Sequence, residues 1–215
     1  MDKNMLAQVD AEFEERYDGR VWLDGVIDEA GWLAAKPKIL WILKEPHDAG
    51  APGRPVDAEN ALRGWMRAGL EQEIVKRPLR GWRRTFWPPL LISYALLNGV
   101  RDYQIVLRAG EKEIARTIHS IAWINIKKTG GGKSANPTEI RGYYNDYKDL
   151  LARQIEAIAP EIIFNCTRLS YPPLPLGRDL DERKIRHQAR VVHLGHPARK
   201  GYQAYFEKAV TQILA

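Results

Sequence analysis

The chain has 215 residues, of which 45% are hydrophobic, so it is long enough to form one domain with a substantial core. Its longest apolar stretches are far shorter than the ~20 residues of a membrane span, and its charged first 15 residues lack the apolar segment of a signal peptide. A single cysteine excludes an intrachain disulfide framework, and the net charge of +6 is compatible with a polyanionic partner without specifying one. We therefore expect a cytoplasmic protein with no membrane partner.

Four short apolar runs predict the strands of a sheet. After a helical lead-in over residues 1–35, they lie at residues 38–43, 120–126, 161–165 and 190–194. Each run is nearly continuous in apolar residues, as in strands that are covered on both faces. Strands that alternate with helices predict right-handed crossovers. We therefore expect residues 1–215 to form a single three-layer α/β/α domain with a central, mainly parallel four-stranded sheet.

Helical periodicity separates these runs, most clearly over residues 138–158, where apolar residues recur at spacings of three and four. Asn136 is a favourable N-cap for this helix, and Pro137 suits its first turn. Further helices are predicted over residues 58–68, 82–97 and 201–214. We expect Pro88 and Pro89 to kink or split the helix over residues 82–97.

The loops that follow the four predicted strands are the expected place for a site, because ligands bind beyond the carboxyl ends of parallel strands. These loops bring a carboxylate, two histidines, a glycine run and several cations to one edge of the sheet. The plainer alternative is that Glu45 and His47 are surface residues flanking a turn at Pro46, and this has about equal weight from the residues alone. The glycines at 130–132 are likewise compatible with a flexible loop.

The chain contains a partial match to a phosphate-binding loop, which we reject. Gly132-Lys133-Ser134 matches the end of a nucleotide-triphosphatase phosphate loop, but the glycine that should precede it by five residues is Lys127. Asn136-Pro137 also interrupts the helix that should follow directly.

Other candidates receive structural interpretations. His193 lies in a predicted strand and is interpreted as a core histidine with satisfied ring nitrogens, and Cys166 as a buried structural thiol. His47, His193 and His196 form no recognisable metal cluster, so we predict neither a metal nor another cofactor.

Three short motifs end predicted strands in a fixed order. They are Leu43-Lys44-Glu45-Pro46-His47, Trp123-Ile124-Asn125 and Gly195-His196-Pro197-Ala198. In their order and spacing, from about residue 38 to the C-terminus, the chain resembles the uracil-DNA glycosylase superfamily. The family has a Gly-x-acid/Asn-Pro loop at the first place, an asparagine that reads the uracil edge at the second, and a His-Pro-Ser loop at the third.

The resemblance implies base excision in DNA repair and assigns roles to the matching residues. Glu45 would orient or deprotonate the attacking water or stabilise a cationic sugar. His196 would donate a hydrogen bond to the oxygen on which negative charge develops. Asn125 would donate to and accept from a base edge, although from the residues alone it is an interior polar group bonded to nearby backbone. The other substrate-binding residues implied are Lys44, Pro46, His47 and Pro197.

The chain also departs from the family pattern. Leu43 replaces the leading glycine, and Glu45 is one methylene longer than the aspartate of the best-known branch. Ala198, Arg199 and Lys200 stand where the family carries a serine and an apolar wedge. The departure in this last loop weakens the case for flipping a base from intact duplex and leaves open a single-stranded substrate or a different partner.

Cations near the predicted site suggest contacts with nucleic-acid phosphates. Residues 76–87 combine five cations with three aromatics, which suits phosphates and stacked bases, although a helix that buries Trp82, Phe86 and Trp87 explains the aromatics better. The predicted phosphate contacts are Lys127, Lys128, Lys133, Arg83, Arg84, Arg199 and Lys200.

Three functions stay open at this point. The first is a monomeric DNA glycosylase-like hydrolase that excises uracil or another altered base from DNA. The second is a non-catalytic nucleic-acid-binding protein on the same fold, and the third is a hydrolase of small nucleotides or nucleosides. An active glycosylase predicts that Glu45, Asn125 and His196 surround one pocket of base size, whereas a binder predicts that they are apart or covered by other side chains.

Overall fold

The computed structural model describes residues 1–18, 21–46, 62–70, 82–131, 135–167, 174–199 and 201–214. The strands in this part of the chain are β1 (Gly25–Val26), β2 (Ile39–Leu43), β3 (Ile121–Asn125), β4 (Ile162–Asn165) and β5 (Arg190–His193). The helices are α1 (Lys3–Arg16), α2 (Glu29–Ala34), α3 (Leu62–Trp65), α4 (Trp82–Leu97), α5 (Tyr103–Leu107), α6 (Glu111–Arg116), α7 (Pro137–Ile158), α8 (Leu176–Asp181) and α9 (Tyr202–Leu214). A π-helical segment, Met66–Leu70, continues α3.

The strands form one mixed sheet in the order β1-β3-β2-β4-β5. β3, β2, β4 and β5 are parallel, as the four apolar runs predicted. The predicted number of four strands is wrong, because β1 adds a fifth strand, antiparallel to β3, with Gly25 opposite Trp123. Two residues are too few to leave a hydrophobic pattern, so β1 depends on its pairing with β3.

Both faces of the sheet are covered by helices, which confirms the α/β class and explains the continuous apolar runs. All five residues of β2 are buried. Ile39, Trp41 and Leu43 belong to a core that also contains residues of α4, α6 and α9. Leu40 and Ile42 belong to a second core with residues of α1, α7 and α8. Since successive side chains of a strand point to opposite faces, one run of five apolar residues supplies both cores.

Helix α7 begins and ends as its sequence predicts. The Asn136 side chain accepts hydrogen bonds from the backbone N–H groups of Thr138 and Glu139, at 3.0 and 3.4 Å. At the other end Ala159 adopts a left-handed conformation with φ 52°, and Pro160 follows. Helix α1 of the N-terminal lead-in packs on α7 and so joins the domain.

Helix α4 runs as one segment through Pro88 and Pro89, so the expected split does not occur. Phe86 and Trp87 are buried in the core, as the structural interpretation of this segment predicted, and the Phe86 ring lies 4.6 Å from that of Trp123 between centroids. The side chain of Trp82 is outside the described residues. Within the described part of the chain, no helix has the length and apolar character needed to cross a membrane.

Candidate functional site

The candidate site lies at the carboxyl ends of the parallel strands, beside β2 and β4. The chain places β3 on one side of β2 and then crosses to place β4 on the other. In open α/β sheets such a reversal of strand order opens a crevice in which ligands bind. The segment from Lys44 to Pro46 follows β2 at this point, and Cys166 and Thr167 follow β4.

Glu45 is the carboxylate at the end of β2, and it is nearly enclosed. Its side chain is 8% exposed, and its Oε2 lies 3.3 Å from the Lys127 Nζ. The same ammonium lies 2.7 Å from Glu139 Oε1 on the first turn of α7 and 5.5 Å from the centre of the Tyr143 ring. Burial opposes the charge of Lys127, but the hydrogen bond to Glu139 and the charge of Glu45 together raise its pKa. The structure therefore presents a cation shared by two carboxylates.

Gly131 closes the loop after β3 over Glu45. Its backbone N–H donates to the Pro46 carbonyl at 2.9 Å. A Cβ at position 131 would lie 2.5 Å from Glu45 Oε1 and closer still to the other carboxylate atoms. At least one glycine of the run therefore has a packing role, because the Glu45 carboxylate occupies the space that a side chain at this position would need.

Asp24, in the N-terminal lead-in just before β1, organises a second polar cluster in the interior. Its Oδ2 accepts from the Asn125 backbone N–H at 2.7 Å and lies 3.4 Å from the Asn125 side-chain nitrogen. Its Oδ1 pairs with the Lys128 ammonium at 2.5 Å, and Gln154 bonds both partners. Burial lowers the pKa of Lys128, and the adjacent Asp24 charge partly offsets this effect.

This cluster decides the placement of two predicted site residues. Asn125 and Lys128 are each 1% exposed. The expected phosphate contact of Lys128 is contradicted, because its ammonium points into the interior and pairs with Asp24. The Asn125 amide is directed at the Asp24 carboxylate. Asn125 is therefore an interior polar residue, as the residues alone suggested, but its partner is a carboxylate and not the backbone. Sequence reasoning missed Asp24 because no motif surrounds it.

A third polar cluster joins the ends of β4 and β5. Asn165 Oδ1 accepts from the Thr167 backbone N–H at 3.1 Å and from its hydroxyl at 2.6 Å. The Asn165 side-chain nitrogen lies 3.1 Å from His193 Nδ1. His193 Nε2 lies 2.9 and 3.1 Å from the two oxygens of Asp181. Both ring nitrogens are satisfied, as predicted for His193, but the side chain is 38% exposed and so lies at the edge of the core.

His196 follows β5 on the same edge of the sheet. Its Nδ1 accepts from the Ala198 backbone N–H at 3.3 Å. The preceding Gly195 carbonyl accepts from the Tyr205 hydroxyl at 2.8 Å, and that hydroxyl lies 3.3 Å from Cys166 Sγ. Burial raises the pKa of the Cys166 thiol to about 12, which agrees with the predicted structural role of this cysteine.

The remaining predicted residues are placed as follows. Lys44 is half-buried at the end of β2, while Pro46 and Pro197 are buried. Arg84 is exposed on α4. His47, Lys133 and Lys200, together with the side chains of Arg83 and Arg199, lie outside the described residues. Between β2, which carries Glu45, and β5, which leads to His196, lies only β4, so the two strand axes are about 10 Å apart.

No protein-family model matches the chain, and neither a curated protein nor a solved structure matches it. Within the described ranges, no group of three or more histidine, cysteine or acidic residues is arranged to hold a metal ion.

Proposed function

We propose that this protein is a DNA glycosylase-like hydrolase that removes uracil or another altered base, with Glu45 as its catalytic carboxylate. The observation that supports this most directly is the position of Glu45 just after the carboxyl end of β2, where its side chain faces Lys127 and Gly131 of the segment after β3. The carboxylate lies 3.3 Å from the Lys127 ammonium, in a nearly closed environment. A carboxylate beside a cation in such a place suits the activation of water or the stabilisation of a cationic sugar as the glycosidic bond breaks.

His196 is the proposed hydrogen-bond donor to the departing base. The Ala198 backbone N–H donates to Nδ1, so in the neutral ring the proton resides on Nε2. Nε2 is therefore the nitrogen that donates to an oxygen on which negative charge develops. The proposal rests on Glu45 and His196 and gives Asn125 no contact with the base, because the amide is already directed at Asp24.

The test is release of free base from uracil-containing single-stranded and double-stranded DNA. Glu45→Gln keeps the size of the side chain and removes its charge, and we expect it to slow release about a hundredfold or more. His196→Ala removes the donor and should cost a factor of about 10²–10³. Glu14→Gln, at an exposed position on α1, is the matched control and should release base at the wild-type rate. Absence of release from both substrates would reject uracil excision.

A second candidate function is nucleic-acid binding without catalysis. It is favoured by the bonding of Glu45 to Lys127 and of Asn125 to Asp24, since both groups are already occupied by protein partners. In that case wild type and Glu45→Gln should bind a labelled single strand with equal affinity in fluorescence anisotropy, with no base released. Affinity should fall steeply with salt, because released counterions supply most of the binding free energy.

A further inference from the structure

We propose that His193 and Asn165 form a proton-sensitive relay that controls the backbone hydrogen bond of Thr167, just after the carboxyl end of β4. The relay runs from Asp181 through His193 and Asn165 to Thr167. It does not depend on the chemistry proposed for Glu45, because it concerns only the conformation of the strand end.

The direction of every hydrogen bond in the relay follows from one backbone group. The Thr167 backbone N–H can only donate, so the Asn165 atom 3.1 Å from it must be the amide oxygen. The amide nitrogen then faces His193 Nδ1, at 3.1 Å, and it can only donate. His193 Nδ1 must therefore accept, and the neutral ring carries its proton on Nε2, which donates to Asp181.

Protonation of His193 puts this arrangement in conflict. The imidazolium carries a second proton on Nδ1, so two donors would face each other across 3.1 Å. Asn165 can relieve the conflict by turning its oxygen towards His193. That rotation presents the amide nitrogen to the Thr167 backbone N–H, which then loses its acceptor. Thr167 is 1% exposed, so water does not readily replace the lost bond.

The surroundings of His193 allow it to exchange protons with solvent. Its side chain is 38% exposed, and among the described residues Asp181 on α8 is the charged group that faces it, with a side chain 57% exposed. The neighbouring charges on α8 are engaged elsewhere: Arg178 approaches Asp179, and Asp179 accepts from Tyr144. From β4, the facing group is the neutral amide of Asn165. The amide of Asn165 is therefore the group that transmits a change of proton at His193 to Thr167.

The experiment is nitrogen-15 NMR of the full chain over a pH titration. The histidine ring signals should show that neutral His193 is protonated on Nε2. As His193 takes up its second proton, the hydrogen-exchange protection of the Thr167 amide, corrected for the intrinsic effect of pH, should fall about tenfold with the same midpoint. His187, whose Nε2 lies 3.0 Å from the Leu180 carbonyl, is an internal reference, and its titration should leave Thr167 unchanged.

Asn165→Asp is the decisive variant. A carboxylate accepts from the Thr167 N–H and from a protonated His193 at once, so the conflict disappears. Thr167 should then stay protected while His193 titrates. The proposal is overturned if neutral His193 carries its proton on Nδ1, or if it remains neutral until the chain unfolds. It is also overturned if Thr167 protection ignores the titration, or if it falls equally in Asn165→Asp. None of these readouts involves base release, so the relay can be refuted without refuting the proposed enzyme activity, and the reverse is also true.

Discussion

Substitution of Gly131 tests whether the Glu45 carboxylate packs against this glycine and pairs with Lys127. In Gly131→Ala the new methyl group would overlap the Glu45 carboxylate, and the nearest obstacles are all carboxylate atoms at the end of this side chain. Backbone strain does not enter, because the left-handed conformations of the described glycines lie elsewhere, at positions 25, 99 and 110. Glu45 must therefore move away from Lys127.

The expected cost follows from the bond that is lost. A hydrogen bond between charged groups contributes about 1.5–3 kcal/mol, and Lys127 keeps its second partner, Glu139, at 2.7 Å. We therefore expect Gly131→Ala to lower the free energy of unfolding by about 2 kcal/mol. If Glu45 is catalytic, its displacement should also slow base release about a hundredfold.

Urea unfolding followed by circular dichroism measures the stability change. Gly142→Ala, in the second turn of α7, is the matched control, because a Cβ there meets nothing within 4 Å. It should raise stability by about 0.5–1 kcal/mol, since alanine loses less backbone entropy than glycine in a helix. In a Glu45→Ala background the obstacle is gone, so Gly131→Ala should have little further effect. Equal stability of wild type and Gly131→Ala, or an equal loss in the Glu45→Ala background, would refute the reasoning.

Two further predictions concern the interior. Lys128→Met should lower the free energy of unfolding by about 3 kcal/mol, because it leaves the buried Asp24 carboxylate without its cation. The control Lys148→Met, at an exposed position, should change it by less than about 0.5 kcal/mol. Equal urea midpoints for the two variants would contradict the buried pair. The pKa of Cys166 is raised from 9.0 to about 12, so its contribution to stability is complete below pH 9 and is lost as the pH rises towards 12, at up to about 1.4 kcal/mol per pH unit. Burial also raises the pKa of Tyr205 above its ordinary value of 10.0, so Tyr205 adds a further loss of stability above pH 10. Between pH 9 and 10, Cys166→Ala should therefore flatten the decline in the free energy of unfolding measured in urea.

Much of the architecture could be predicted from local sequence. Each of the four apolar runs became a parallel strand, because a strand covered on both faces needs apolar residues at every position. Helix α7 was predicted from its start to its end because its cap, Asn136-Pro137, is a local signal. The burial of Phe86 and Trp87 followed from helical spacing in the same way.

Other features had no local signal. Strand β1 has two residues, and only the neighbouring edge of β3 makes it a strand. The continuity of α4 through Pro88 and Pro89 also runs against local propensity, and nothing in the structure explains it. Asp181, at the outer end of the relay, carries no motif that singles it out.

Lys127 and Lys128 show most clearly what the sequence determined and what the tertiary structure decided. Both are cations just after β3, and the sequence assigns them the same role. In the fold, Lys127 meets Glu45, 82 residues away along the chain, while Lys128 meets Asp24, 104 residues away. The sequence determined where the strand ends and that positive charge follows it. The partner of each cation depends on packing, which brings Asp24 of the lead-in to one lysine and Glu45 of the loop after β2 to the other. No local sequence pattern encodes contacts between residues so far apart along the chain.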